Sequence, residues 1–149
     1  VRHEVSGKAY ELRLSEESAG TQKLMGLAAY LMTALERGGT VVVDELDAKL
    51  HPKLLRYVIL LFKDPEVNKS GAQLIFSSQD VSTMRNDVFR RDEIWFAARG
   101  EGEASQLWSL ADIHEANGNL VSKNAAFDKQ YLSGRYGADP YLTRIEEWD

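Results

Sequence analysis

The pattern of apolar and polar positions divides the chain into short extended runs and two helical repeats. Val1 to Leu14 carries two extended stretches, His3–Val5 and Tyr10–Leu14, around Ser6-Gly7-Lys8, which predicts a hairpin turned at Gly7. Ser15-Glu16-Glu17-Ser18 then offers helix-start residues and acidic side chains suited to an N-terminal turn. From Thr21 to Arg37 the apolar residues Leu24, Leu27, Ala28, Leu31 and Leu35 recur at helical spacing, and Gly38 is a C-terminal glycine for that helix. Thr40–Val43 is a β-branched run after the Gly38-Gly39 breaker, and it reads as a buried strand of a parallel sheet. A second helix is predicted from Pro52, a favoured first helical residue, to the Asp64-Pro65 break. Its apolar residues, among them Leu55, Val58, Ile59 and Phe62, lie on more than one side, as for a helix packed between a sheet and something else. Gln73–Ser77 is another short buried strand. Glu93–Ala98 and Gln106–Leu110 are two more, joined by the loop Arg99–Ala104. From Ala111 the pattern is mixed and helical in part.

Strand–helix–strand units of this length imply parallel pairing through right-handed crossovers. The expected fold class is α/β, a parallel-rich sheet flanked by helices, with the strands ending at Val43 and near Ser77 as neighbours. Ligands of such sheets bind beyond the carboxyl ends of the strands.

Composition narrows the function classes. The 149 residues allow one domain with a sizeable core, and a hydrophobic content of 44% excludes a disordered chain. No apolar run approaches the roughly 20 residues that span a bilayer, so no membrane partner is expected. There is no cysteine, hence neither a disulfide framework nor a thiolate metal site, which fits a cytoplasmic protein. His3, His51 and His114 are too scattered in sequence for a zinc site. The net charge is −5 with no long basic block, which disfavours bulk binding of a phosphate backbone by this segment. Val1 is read as the start of a segment partway through a longer protein.

Three places carry candidate chemistry, each at an element's end. Asp44-Glu45 closes the Thr40–Val43 strand. In the form of a Walker B motif, the first carboxylate holds Mg²⁺ and the second orients or deprotonates water. The competing reading is an acidic surface turn. Ser18-Ala19-Gly20-Thr21-Gln22 opens the long helix, where free N–H groups and the helix dipole attract anions. Gly20 would let a phosphate approach, and Ser18 would add a hydroxyl donor; the competing reading is an ordinary capped helix. Ser77-Ser78-Gln79-Asp80 ends the next strand.

Their order resembles the second half of an ABC-type ATPase head, as in SMC-like proteins and the OLD nucleases. Ser18–Gln22 resembles the signature motif, Val41–Glu45 resembles Walker B, and Asp44–His51 resembles Walker B plus D-loop. His51 stands where many members carry Asp, and Gln79 falls where the switch histidine usually sits. The chain is more closely similar to prokaryotic stand-alone AAA/ABC-like ATP-binding proteins of phage-defence and abortive-infection loci. Those read Glu-Ser-x-Gly-Thr at the signature and Asp-Glu-x-x-x-x-Leu-His-Pro at Walker B, here Glu17–Thr21 and Asp44–Pro52. The stretch Tyr131–Pro140 also looks like that group's end segment.

The resemblance implies a C-terminal portion of an ABC-ATPase-like domain over residues 1–149, with a helical or irregular tail over 111–149. ATP and Mg²⁺ are the implied cofactors of the intact protein, bound between two heads of a homodimer joined through signature and D-loop. Ser18, Gly20 and Thr21 would meet the partner's γ-phosphate, and Asp47 and His51 would lie along the seam. Asp44 would hold Mg²⁺, Glu45 would position water, and Gln79 would sense the γ-phosphate. For Asp47 and His51 the competing reading is a solvated loop with a helix-start His-Pro. For Gln79 it is a polar residue at the start of the element after the strand.

Two departures matter. No Gly-x-x-x-x-Gly-Lys-Ser/Thr loop occurs: the only Gly-Lys is Gly7-Lys8, and the position five residues before Gly7 is Arg2. The Walker A portion is therefore expected outside this chain, and the isolated chain is expected to be inactive. A glutamine at position 79 can hydrogen-bond a phosphate or water but cannot exchange protons as imidazole does.

Two functions follow. One is an ATP-hydrolysing head that drives an effector protein such as a nuclease, with nucleic acid a partner of the intact protein only. The other is an ATP-gated dimerisation module with little turnover. Tyr131, Tyr136, Tyr141 and Trp148 are expected to pack the tail onto the core, and Trp95, Phe96 and Trp108 to be core or strand-pair residues.

Overall fold

The computed structural model describes residues 1–99, 104–115 and 118–138. The chain divides into two compact units, Val1–Asp80 and Val81–Asp149.

The first unit opens with β1 (Arg2–Val5) and β2 (Lys8–Glu11), paired antiparallel so that Val5 faces Lys8. Ser6 and Gly7 link them with φ of 52° and 74°, the double positive φ whose twist suits a two-residue hairpin. The second strand ends at Glu11, short of the expected Leu14, because Leu14–Glu16 winds into a 3₁₀ turn. There the Glu16 carboxylate accepts the Arg13 N–H at 2.7 Å.

Helix α1 (Ala19–Arg37) starts at its Ser18 cap and stops at Gly38, whose φ is 74°. Strand β3 (Thr40–Val43), helix α2 (Pro52–Lys63) and strand β4 (Gln73–Phe76) follow. β3 and β4 are parallel neighbours, with Val43 opposite Phe76. Asn68 shapes the return into β4: its amide donates to the Phe62 and Ala72 carbonyls and its oxygen accepts the Ala72 N–H. Leu46 and Leu55, both 0% exposed, form the core with Val43, Val58 and Ile59.

Two expectations about this sheet need correction. β3 and β4 are covered on one face only: Val42 is 73% and Ile75 55% exposed, and they face each other across the ladder. Alternation sends Val41, Val43, Leu74 and Phe76 to the covered side and these two to the other. Among the described residues the strands are also not gathered into one parallel-rich sheet: they form one parallel pair and two antiparallel pairs, in three separate two-stranded sheets. The antiparallel pairs have short connections, which cannot make the crossover a parallel pair needs.

The second unit contains β5 (Trp95–Arg99), β6 (Ser105–Ser109) and α3 (Phe127–Leu132). β5 and β6 are antiparallel. Arg91–Glu93 forms a 3₁₀ turn, so the strand starts two residues after the expected Glu93, and Leu110 begins another such turn after β6. Phe96 is the hub of the core. Its ring lies 5.7 Å from Tyr131 in a stacked pair, 5.3 Å from Tyr136 and 6.1 Å from Trp108. Leu110, Val121 and Phe127 complete the cluster. Trp95 is a strand-pair residue opposite Ser109 rather than a core one: it projects from the other face and is 59% exposed. Tyr131 and Tyr136 pack as expected, while residues 100–103, Tyr141 and Trp148 lie outside the described residues. Among the described residues no helix is long and apolar enough to cross a membrane.

Candidate functional site

The C-terminal ends of β3 and β4 meet at a cluster of polar side chains. The ladder continues one step past both strands, since Ser77 N–H donates to the Val43 carbonyl at 3.1 Å and Leu46 N–H to the Ser77 carbonyl at 3.0 Å. This step holds Asp44 and Glu45 beside Ser77. The Ser77 hydroxyl donates to Asp44 Oδ1 and accepts the Glu45 N–H at 2.7 Å. Gln79 is the next partner: its amide donates to Glu45 Oε1 at 3.3 Å and its N–H to Asp47 Oδ2 at 3.3 Å. Asp44, Glu45 and Asp47 stand within four residues and repel one another. Each is met by a donor from the β4 end, which offsets that repulsion.

Glu45 adopts φ of 48°, a conformation that costs a non-glycine residue about 1–2 kcal/mol. Bonds from several elements hold it there. Besides Ser77 and Gln79, Ala48 N–H donates to its carbonyl at 3.0 Å and Lys23 Nζ at 2.5 Å. At about 0.5–1.5 kcal/mol net per hydrogen bond, and more for a charged donor, this set exceeds the backbone cost. Leu46, inserted into the core at 0% exposed, pins the chain on the next residue. Asp47 Oδ1 is different: among the described residues it is the one buried side-chain oxygen with no hydrogen-bond partner. An acceptor left this way costs about 1–3 kcal/mol, and an incoming donor would remove that cost.

The start of α1 is a capped helix. Ser18 Oγ accepts the Thr21 N–H at 3.1 Å and lies 2.9 Å from Thr21 Oγ1, so it acts locally as a cap acceptor. Gln22 folds back, its amide donating to the Glu17 carbonyl at 2.8 Å. Glu17 in turn meets His3 Nε2 at 2.5 Å, joining the hairpin to the helix start. Gly20 sits where a Cβ would come within 2.7 Å of the Lys49 carbonyl, so its lack of a side chain lets α1 pack on the Asp44–Leu50 loop. An open cleft lined by Ala19, Gln22, Lys23, Ala48 and Lys49 lies beside this contact.

His51 caps α2, its Nδ1 accepting the Lys53 N–H at 3.1 Å with Pro52 as the first helical residue. The structure thus joins Asp44, Glu45, Asp47 and Gln79 in one hydrogen-bonded cluster. Ser18, Gly20 and Thr21 sit at the start of α1 against the same loop, and His51 has its own capping contact. Ser77 was part of the third candidate stretch but had no role assigned to it in the sequence; Lys23, inside a helical repeat, carried no signal and was missed.

No group of three or more His, Asp or Glu side chains that could hold a metal occurs among the described residues. Mg²⁺ does not require such a group, since it binds through one or two carboxylates plus water and substrate phosphates. Asp44, exposed and steadied by the Ser77 hydroxyl, is a carboxylate of that kind.

No curated protein matches the chain. Residues 1–85, more than half of its length and including the whole strand-end cluster, match the family described as "AAA domain, putative AbiEii toxin, Type IV TA system", and the chain belongs to that family of AAA domains.

Proposed function

We propose that residues 1–149 are the signature, Walker B and D-loop portion of an ABC-like ATPase head. Its phosphate-gripping Gly-Lys-Ser/Thr loop lies outside these residues, and the head closes on a second copy around ATP. The carrying observation is the convergence of Asp44, Glu45, Ser77 and Gln79 at the carboxyl ends of two adjacent parallel strands, where open α/β sheets take their ligands. Asp44 holds Mg²⁺, which neutralises charge at the phosphates. Glu45 Oε2 is free of the Gln79 amide's contact at Oε1 and orients the attacking water, accepting its proton. Gln79 steadies that carboxylate and reads the γ-phosphate. Asp47 lies along the seam with the second head, and the α1 start, with Ser18, Gly20 and Thr21, faces the partner's nucleotide. The setting proposed is phage defence, with a nuclease or similar effector driven by the cycle.

The alternative is an ATP-gated dimerisation module with little turnover. The observation favouring it is that the Gln79 amide already occupies one oxygen of Glu45, where a histidine could move a proton.

Glu45→Gln in the complete ATPase tests the head reading. The head reading expects hydrolysis to fall by about 10²–10⁴-fold with ATP binding kept and an ATP-bound dimer accumulating on size exclusion. Unchanged hydrolysis would leave Glu45 a structural acid and remove the reading's central residue.

A further inference from the structure

The first turns of α1 touch the Glu45 loop at two points on one helix face. Gly20 lies against the Lys49 carbonyl, and Lys23, one turn on, donates its ammonium to the Glu45 carbonyl at 2.5 Å. Lys23 is partly buried, the bond itself is exposed, and its partner is a main-chain carbonyl rather than a second mobile side chain. The residue it grips is the one whose backbone sits at φ of 48°. A side chain in such a sparsely populated conformation keeps its aim only while its surroundings hold the backbone.

We propose that Lys23 is a positioning residue for Glu45. By holding the Glu45 carbonyl it keeps the backbone in the left-handed conformation that aims the carboxylate at Gln79, and it ties the start of α1 to that carboxylate within one head. The inference rests on the reading of Glu45 as the water-orienting group. Movement of α1 when its start meets the partner's nucleotide then reaches Glu45 through one charged hydrogen bond. Gly20 sets the distance: helix and loop approach closely enough for the Lys23 side chain to reach.

The test uses the complete ATPase with Lys23→Met, Lys23→Arg and Glu45→Gln, and the Lys23→Met/Glu45→Gln double variant, measuring kcat, KM and ATP affinity. Lys23→Met keeps the aliphatic stem and removes the ammonium. It should lower kcat about 10- to 100-fold, the scale of a misplaced catalytic group, with ATP affinity within about twofold. Lys23→Arg should restore most of the loss, and the double variant should be no slower than Glu45→Gln alone, since groups acting as a unit are not additive. Lys23→Gln, also neutral, should lose kcat in the same way and serves if Lys23→Met fails to fold. Parental kcat in both neutral variants beside a slow Glu45→Gln overturns the inference and spares the function. Additive losses in the double variant also overturn it. Parental turnover in Glu45→Gln overturns both.

Discussion

Gly20→Ala tests whether that glycine is a packing residue, and the same helix supplies its control. An alanine Cβ at position 20 would stand 2.7 Å from the Lys49 carbonyl oxygen. Ordinary contact begins at 3.4 Å, so it requires a retreat of roughly 0.7 Å or more. The obstacle is main chain, and it cannot yield cheaply: Lys49 is at φ of 66° and its neighbour Leu50 is buried at 9% exposure. Overpacking of this kind costs about 1–3 kcal/mol. Against it stands the helical preference of alanine over glycine, up to about 1 kcal/mol in a helix interior and less in the first turn. The net expectation is a loss of about 1–2 kcal/mol. With a urea slope of about 2 kcal/mol per molar, the unfolding midpoint falls by about 0.5–1 M. Gly26 lies in the same helix, and a Cβ there meets nothing within 4 Å. Gly26→Ala should therefore stabilise by about 0.5–1 kcal/mol and raise the midpoint. Urea titrations followed by far-UV circular dichroism read both. A Gly20→Ala midpoint at or above the parent's would refute the close-approach argument and return Gly20 to a role in ligand access alone.

In the second unit, burial pushes the Tyr136 hydroxyl up to about 12 from an ordinary 10.0. The folded state therefore holds the phenolic proton after the unfolded state has released it. The stabilisation is whole below pH 10 and is lost as pH rises toward 12, and thermal midpoints measured across that window should fall more steeply for the parent than for Tyr136→Phe. Phe96→Ala should cost about 3–5 kcal/mol because its ring is the hub of the aromatic core, while Trp95→Ala on the open face, losing the indole hydrogen bond to the Asp92 carbonyl, should cost about 1 kcal/mol. Equal losses in the two variants, read by chemical denaturation, would reject the assigned facing of β5.

The order of elements was legible because local rules set it. The Leu24–Leu35 repeat, the Ser18 cap, the Gly38 stop and His51-Pro52 act within a turn or two of the chain, and α1 and α2 begin and end at those signals. So was the adjacency of the β3 and β4 ends, because a helix of that length between two short strands leaves parallel pairing as the compact solution. Other facts depend on residues distant in sequence. Alternation assigns Trp95 and Phe96 to opposite faces, but which face becomes core depends on where Tyr131, Tyr136 and Phe127 pack. The short runs of β3 and β4 read as buried strands, while Val42 and Ile75 stand exposed. At the candidate site the sequence supplied Asp44, Glu45 and Gln79 as types at strand ends. Tertiary structure alone decided that Ser77 bridges the two acidic residues, that Lys23 reaches the Glu45 carbonyl, and that Asp47 keeps one buried oxygen without a partner. Those bonds span 22 to 33 residues, and a contact of that range exists only when helix and sheet are brought together by the burial of Leu46 and Leu55.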